Sequence, residues 1–254
     1  MKEELRAIVA ADLAVPEDGR APDIARATFD ELASTDPELR DELAFRVLGS
    51  WITEDVLEPE DVRVLLTRAL DGIQNGVDDG EGDGVFGRSF AMLIVAAALY
   101  RDNRNPFLAE REWGSALAGV HDYSLRERDL RGHTGSKGWA HAAAHAADAL
   151  DELIRSRYAA ADECRLAFEG LASLVSRAQS VYVDEEDDRI SLALAALVET
   201  GKVSPTELSA WLEGAIPPIG AERVMRINWK HVVRSLFFRL DANQLRELQA
   251  RLAF

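Results

Sequence analysis

Apolar residues recur along almost the whole chain at the three- and four-residue spacings of amphipathic helices, and no long alternating β-branched run interrupts them. Leu5, Ile8, Val9 and Leu13 predict a helix over 2–13 that Pro16 and Gly19 end. Pro22 opens a second, holding Ile24, Phe29 and Leu32, which stops at Ser34. Thr35 or Asp36 caps a third, with Pro37 in its first turn and Leu39, Leu43, Phe45, Val47 and Leu48 along it. Pro59 begins a fourth around Val62, Leu65, Leu66 and Leu70. The stretch 88–100, RSFAMLIVAAALY, is apolar on all sides, which predicts a central helix rather than a surface one.

Pro106 opens a helix over 107–120 with Leu108, Trp113, Leu117 and Val120 in register. The region 161–180 buries Leu166, Phe168, Leu171, Leu174 and Val175, and 185–199 buries Ile190, Leu192, Leu194 and Leu197 before Gly201 stops it. Ser204, Pro205 and Glu207 cap a helix through Trp211. After Pro217 and Pro218, a helix over 221–240 packs Ile227, Trp229, Val232, Val233, Leu236 and Phe237, and Asp241 caps a last one. Taken in pairs, hairpins start near Asp36, Asp83, Lys137, Glu185 and Ala221, a pitch of roughly 40 to 50 residues. No sequence repeat accompanies it. The expectation is an all-α chain, one domain over 1–254, built as an α-solenoid or αα-superhelix of stacked helical hairpins of the HEAT or armadillo kind, with a concave groove.

Composition narrows the setting. With 254 residues and 47% hydrophobic content the chain can build a core without staples. Cys164 is alone, so no intramolecular disulfide forms and a reducing, cytoplasmic location is expected. The first thirteen residues alternate charged and apolar positions, unlike a signal peptide, and the run 90–100 is too short to span a bilayer, so no membrane partner is expected. A net charge of -16 repels phosphate backbones, which argues against nucleic acid.

Candidate chemistry concentrates in 123–152, YSLRERDLRGHTGSKGWAHAAAHAADALDE. If a helix begins near Lys137 and advances about 100° per residue, His141, His145, Asp148 and Glu152 share an arc of roughly 60°. Trp139, Ala142, Ala143, Ala146, Leu150 and Leu153 then form the packing face, which places Trp139 in the core. Histidines four apart with a carboxylate one turn on can hold a divalent ion, although Ala142 stands where a zinc peptidase carries its general base. Without metal, His141 and His145 are candidate general base and acid, oriented by Asp148, while Arg131 and Lys137 hold an anionic group. A solvated face explains the same stripe.

Other residues carry two readings each. Arg88 stands at the edge of the apolar helix and needs an acid, for which Asp83 and Asp129 are candidates. Arg88, Asp129 and Arg131 either line a ligand site or form an ion-pair network that locks the polar turn. Tyr123 is a lid or a packed tyrosine. Asp79-x-Glu81-x-Asp83-Gly84 resembles half a calcium loop, but its twelfth position is Phe90, so 74–87 reads as a solvated connector. His121 and His133 are loop residues, His231 a hydrogen-bonded core histidine, and Cys164 a buried apolar residue. Nucleophile elbow, P-loop and dinucleotide fingerprints are missing.

Three blocks together, Asp83 to Phe90, Tyr123 with Asp129-Leu-Arg-Gly132, and Gly138-Trp-x-His141-x-x-x-His145-x-x-Asp148, resemble the bacterial domain-of-unknown-function 2785 family. They cover about the middle third of the chain, with Gly84 where that pattern more usually has a small hydroxyl residue. The resemblance implies an all-helical, superhelical fold and brings no activity. Three functions follow from the residues. One is a helical-repeat protein binding a small or peptide-like ligand around Arg88, Tyr123, Asp129, Arg131, Lys137, His141, His145 and Asp148. Another is a metal-assisted hydrolase using the two histidines with Asp148 or with Glu185, Glu186 or Asp187. The third is an interaction scaffold with no small-molecule site. Catalysis, cofactor and oligomeric state stay open.

Overall fold

The computed structural model describes residues 1–16, 19–218 and 220–240. Among these residues it contains eleven α-helices and no β-strand, so the chain is all-helical as its periodicity predicts. They are α1 (Lys2–Ala10), α2 (Ala21–Glu31), α3 (Arg46–Thr53), α4 (Pro59–Gln74), α5 (Gly84–Arg104), α6 (Glu110–Arg126), α7 (Ala142–Arg155), α8 (Ala161–Arg177), α9 (Glu186–Glu199), α10 (Pro205–Ala215) and α11 (Arg223–Phe237). A π-helical segment, Glu38–Phe45, runs straight into α3. The helix expected after Asp241 lies outside the described residues.

Punctuation in the sequence sets most boundaries. Pro59 sits in the first turn of α4, the Ser204 hydroxyl accepts the Glu207 N–H at the start of α10, and Gly201, at φ 71°, follows α9. Asp36, rather than Thr35, caps the π-helical segment by accepting the N–H groups of Glu38 and Leu39. Elsewhere tertiary contacts move the ends. The Asp102 carboxylate accepts the N–H groups of Phe107 and Leu108 at 2.7 and 2.6 Å, which holds both residues out of the helix expected over 107–120. Helix α6 therefore starts at Glu110, and it continues to Arg126, so Tyr123 belongs to its last turn rather than to a loop. Leu166 falls outside the phase of Cys164, Ala167, Phe168 and Leu171 and is exposed, against expectation. Phe237 is also partly exposed, its ring meeting Phe238 edge-on.

Helices α3, α5, α7, α9 and α11 pack side by side in sequence order, and α4, α6 and α8 form a second row against them. Helix α5 lies between α3, α4 and α7. By length and composition alone it is apolar enough to cross a bilayer, which the shorter run 90–100 did not suggest, but 78% of its most apolar window is buried inside the protein. That burial is what an all-apolar helix obtains at the centre of a globular core. Small residues let the rows approach. Gly170 of α8 faces Leu150 of α7 and Ser124 of α6, each of which a methyl group at that position would meet at 3.3 Å.

Gly170→Val, whose branched methyls overlap both neighbours, is expected to cost about 1–3 kcal/mol in urea unfolding. An unchanged unfolding midpoint would contradict the close meeting of α6, α7 and α8.

Candidate functional site

The polar turn between α6 and α7 is built on two buried arginines. Arg88 of α5 and Glu127, just past α6, are both almost inaccessible and pair through two contacts, the Nη2–Oε1 distance being 3.0 Å. Glu127 also accepts the Asp129 N–H at 2.9 Å. The partner of Arg88 is thus Glu127, not Asp83 or Asp129. Those two carboxylates are engaged elsewhere: Asp129 binds Arg131 (Nε–Oδ1 2.7 Å) and the Gly82 N–H, and Asp83 pairs with Lys137 at 2.6 Å. Arg131 also donates to the Gly82 carbonyl, so the Gly-rich stretch expected to be a solvated connector is pinned at Gly82 and Asp83. Arg177 of α8 donates to the carbonyls of Ser124, Arg126 and Glu127, completing the end of α6. Tyr123 is fully buried beside Glu127, and burial raises its pKa well above that of a free phenol.

The second arginine, Arg40, was not singled out by the sequence. It lies in the π-helical segment with no solvent exposure. Its guanidinium donates to the carbonyls of Ser34 (2.8 Å), Lys137 (2.8 Å) and Trp139 (3.1 Å), contacts Asp41, and stacks 4.2 Å from the Phe86 ring centre. Its only trace in the sequence is a position in step with Leu43, Ala44 and Val47. The turn can reach it because Gly138, at φ 73°, has no side chain: a Cβ there would lie 2.7 Å from Pro37.

That turn displaces the expected helix start. The Gly132 carbonyl accepts the N–H groups of Ala140 and His141, His141 adopts a left-handed conformation at φ 48°, and α7 begins only at Ala142. Trp139 is consequently off the helix and 40% exposed, its ring edge-on to His133 and His141 at 4.6 and 4.3 Å, rather than in the core. His141, half-buried, leaves the predicted stripe, and burial lowers its pKa. His145 remains on α7 but is buried against Phe90, with Nδ1 3.1 Å from the Ser89 carbonyl. Burial pushes its pKa down to about 3, so the ring is neutral. Both Asp148 oxygens contact Arg189 of α9, at 2.8 and 2.7 Å.

The His141 and His145 rings lie 5.7 Å apart, while Asp148 is paired with Arg189. Among the described residues no group of three or more His, Cys, Asp or Glu side chains converges as a metal site requires. On α9, Glu186 is buried and accepts the Asp184 N–H, and Asp187 accepts the Ser235 hydroxyl. His231 is half-buried rather than a core residue, His133 is exposed, and His121 lies 3.9 Å from Glu169. Cys164 is buried, which raises its thiol pKa.

An open cavity of about 390 Å³ lies elsewhere, across the row of α3, α5, α7 and α9. Leu93, Ala96, Ala97 and Tyr100, spaced i, i+3, i+4, i+7 along α5, form an apolar wall. Asp148, Asp151 and Glu152 face it from α7, Ser50 and Arg46 flank it on α3, and Leu192 lies on α9. Asp148 and Glu152 of the predicted stripe thus reach a cavity, about 9 and 15 Å along α7 from its start, while Arg88, Tyr123, Asp129, Arg131 and Lys137 remain in the turn network. The apolar wall was illegible because α5 is apolar on every side. Asp151 is paired with Arg155 at 3.0 Å, whereas Glu152 accepts, among the described residues, only an Asn103 N–H, at 2.8 Å, and burial raises its pKa to about 7.

A family model described as Protein of unknown function (DUF2785) matches residues 73–238. The chain belongs to the DUF2785 family. No curated protein and no solved structure matches it. In this DUF2785 protein the matched residues contain the Arg88–Glu127 pair, the polar turn and the α5 and α7 walls of the cavity, whereas Arg40 and α3 lie upstream of the match.

Glu127→Ala strands the buried Arg88 charge and is expected to cost about 3–5 kcal/mol in urea unfolding. A loss under about 1 kcal/mol would show that the pair does not hold the turn. His145 gives a pH signature. Its folded pKa of about 3 lies below the roughly 6.5 of an unfolded histidine, so the unfolded chain binds the extra proton between those values. Stability should fall as pH drops from about 6.5 towards 3, and His145→Gln, which keeps a donor for the Ser89 carbonyl, should flatten that fall. Identical acid limbs for the two proteins would exclude His145 as its source.

Proposed function

We propose that this DUF2785 protein is an αα-superhelix of stacked hairpins, HEAT- and armadillo-like, that binds a small or peptide-like ligand in the groove across α3, α5, α7 and α9. The two rows of helices, each ordered along the sequence, support the architecture. The cavity of about 390 Å³ carries the binding reading, because it joins an apolar wall to a few convergent polar groups within the size range of ligand pockets. The ligand centre is moved from the Asp129–Gly132 turn to the second half of α7. Arg131 and Lys137, the expected anion holders, are already paired with Asp129 and Asp83. Binding is favoured over hydrolysis, since His145 is neutral, hydrogen-bonded to Ser89 and not part of the cavity wall. One buried thiol and an acidic surface suit a cytoplasmic protein whose partners are neither nucleic acid nor membrane.

The test is a nuclear magnetic resonance titration with n-hexanol and a mixture of dipeptides. Shifts are expected at the amides of Leu93, Ala97, Asp148 and Leu192, and they should vanish in Ser50→Trp, which fills the groove from its rim. Shifts spread elsewhere, or persisting in Ser50→Trp, would overturn the assignment.

A further inference from the structure

Three carboxylates face the groove, and their surroundings differ. Asp148 is neutralised by Arg189 and Asp151 by Arg155. Glu152 has no ion pair among the described residues; its one side-chain hydrogen bond comes from the neutral amide of Asn103 on α5, which also donates to the Glu152 carbonyl at 2.9 Å. A carboxylate set against Leu93, Ala96, Ala97 and Tyr100 without a counter-charge is poorly solvated, and a cation arriving there gains a charge-assisted contact in a partly dry setting. Across the groove, Arg46 on α3 is exposed and likewise makes no ion pair among the described residues. Its guanidinium leaves the α3 side unfavourable to positive charge.

We infer, building on the groove reading above, that the groove selects monocationic amphiphiles: an apolar body lies along the α5 wall and a single protonated amine sits on the Glu152 carboxylate. A second amine at the far end of the ligand would meet Arg46. The groups facing Glu152 set how pH acts on this contact. Asp148 and Asp151 on its own helix oppose its ionisation and Arg155 favours it, α5 contributes the neutral Asn103, α3 contributes Arg46, and Arg189 from α9 is spent on Asp148. With the Glu152 pKa at about 7, the carboxylate form that an ammonium needs grows as pH rises through neutrality, while an alkylamine stays protonated to about pH 10.

The experiment measures binding of n-hexylammonium, n-hexanol, n-hexanoate and 1,6-hexanediammonium to the full chain by calorimetry and amide shifts at pH 6 and pH 8. Hexylammonium should bind most tightly, more so at pH 8 than at pH 6, with the diammonium and hexanoate weaker. Glu152→Gln, which keeps the Asn103 contact, should weaken hexylammonium about tenfold and leave hexanol unchanged, the size expected for one charge-assisted contact. Should Glu152→Gln fail to fold, the pH dependence in the wild-type protein decides: equal hexylammonium affinity at the two pH values overturns the inference. Hexanol binding that Ser50→Trp removes, together with no preference for the ammonium, would overturn the cation selectivity and leave the groove standing. If no probe binds, both fall.

Discussion

A guanidinium with no access to water must find its partners inside the protein, and Arg40 finds them on four separate segments. It joins the end of the α2 connection at Ser34, its own π-helical segment at Asp41, the aromatic face of α5 at Phe86, and the turn carbonyls of Lys137 and Trp139. A buried charge so distributed is costly to lose, because every contact that breaks leaves part of the charge unsatisfied. The left-handed Gly138, the half-exposed Trp139 and the late start of α7 all follow from bringing that turn against Arg40. Arg88 and Glu127 do the same at the other end of the turn, and Arg177 closes the carbonyls between them. Glu127, Lys137 and Trp139 are thus held by buried arginines, and Asp129 and Arg131 by each other.

How far the sequence carries differs by level. Helix positions were legible because capping residues, prolines and i, i+3, i+4 spacing act locally: Pro59, Ser204 and Gly201 mark the same boundaries in the chain and in the fold. Boundaries set across space were not. Nothing local to Phe107 announces that Asp102 will take its N–H, and nothing local to Lys137 announces that Arg40, about a hundred residues away, holds it out of a helix. The two glycines flanking Ser136 and Lys137 were the one available warning that the helical phase breaks before Ala142. Three-block resemblance to the family was legible and agrees with the matched region.

The candidate site was legible in half. Asp148 and Glu152 were placed on a common stripe by spacing alone, and both line the groove. The stripe lost His141 because its backbone leaves the helix, and His145 because the stripe's first turn is buried under Phe90. The opposite wall escaped notice for a different reason: in α5 every face is apolar, so periodicity cannot say which one is left uncovered. Pairing of charges was hardest of all, since Asp83, Glu127 and Asp129 are equivalent as text and differ only in where the backbone delivers them.

Six of the fourteen residues of α7 are alanine, and this sets how closely α5 and α9 approach on either side of it. The buried arginine contacts of the turn and these methyl contacts make up the scaffold, while Ser50, Thr53, Tyr100 and Leu192 border the groove, Thr53 and Tyr100 both touching Arg104. Frame and groove rim are therefore written at different positions. Such a division lets descendants of the chain drift at a few rim residues with the frame inherited intact.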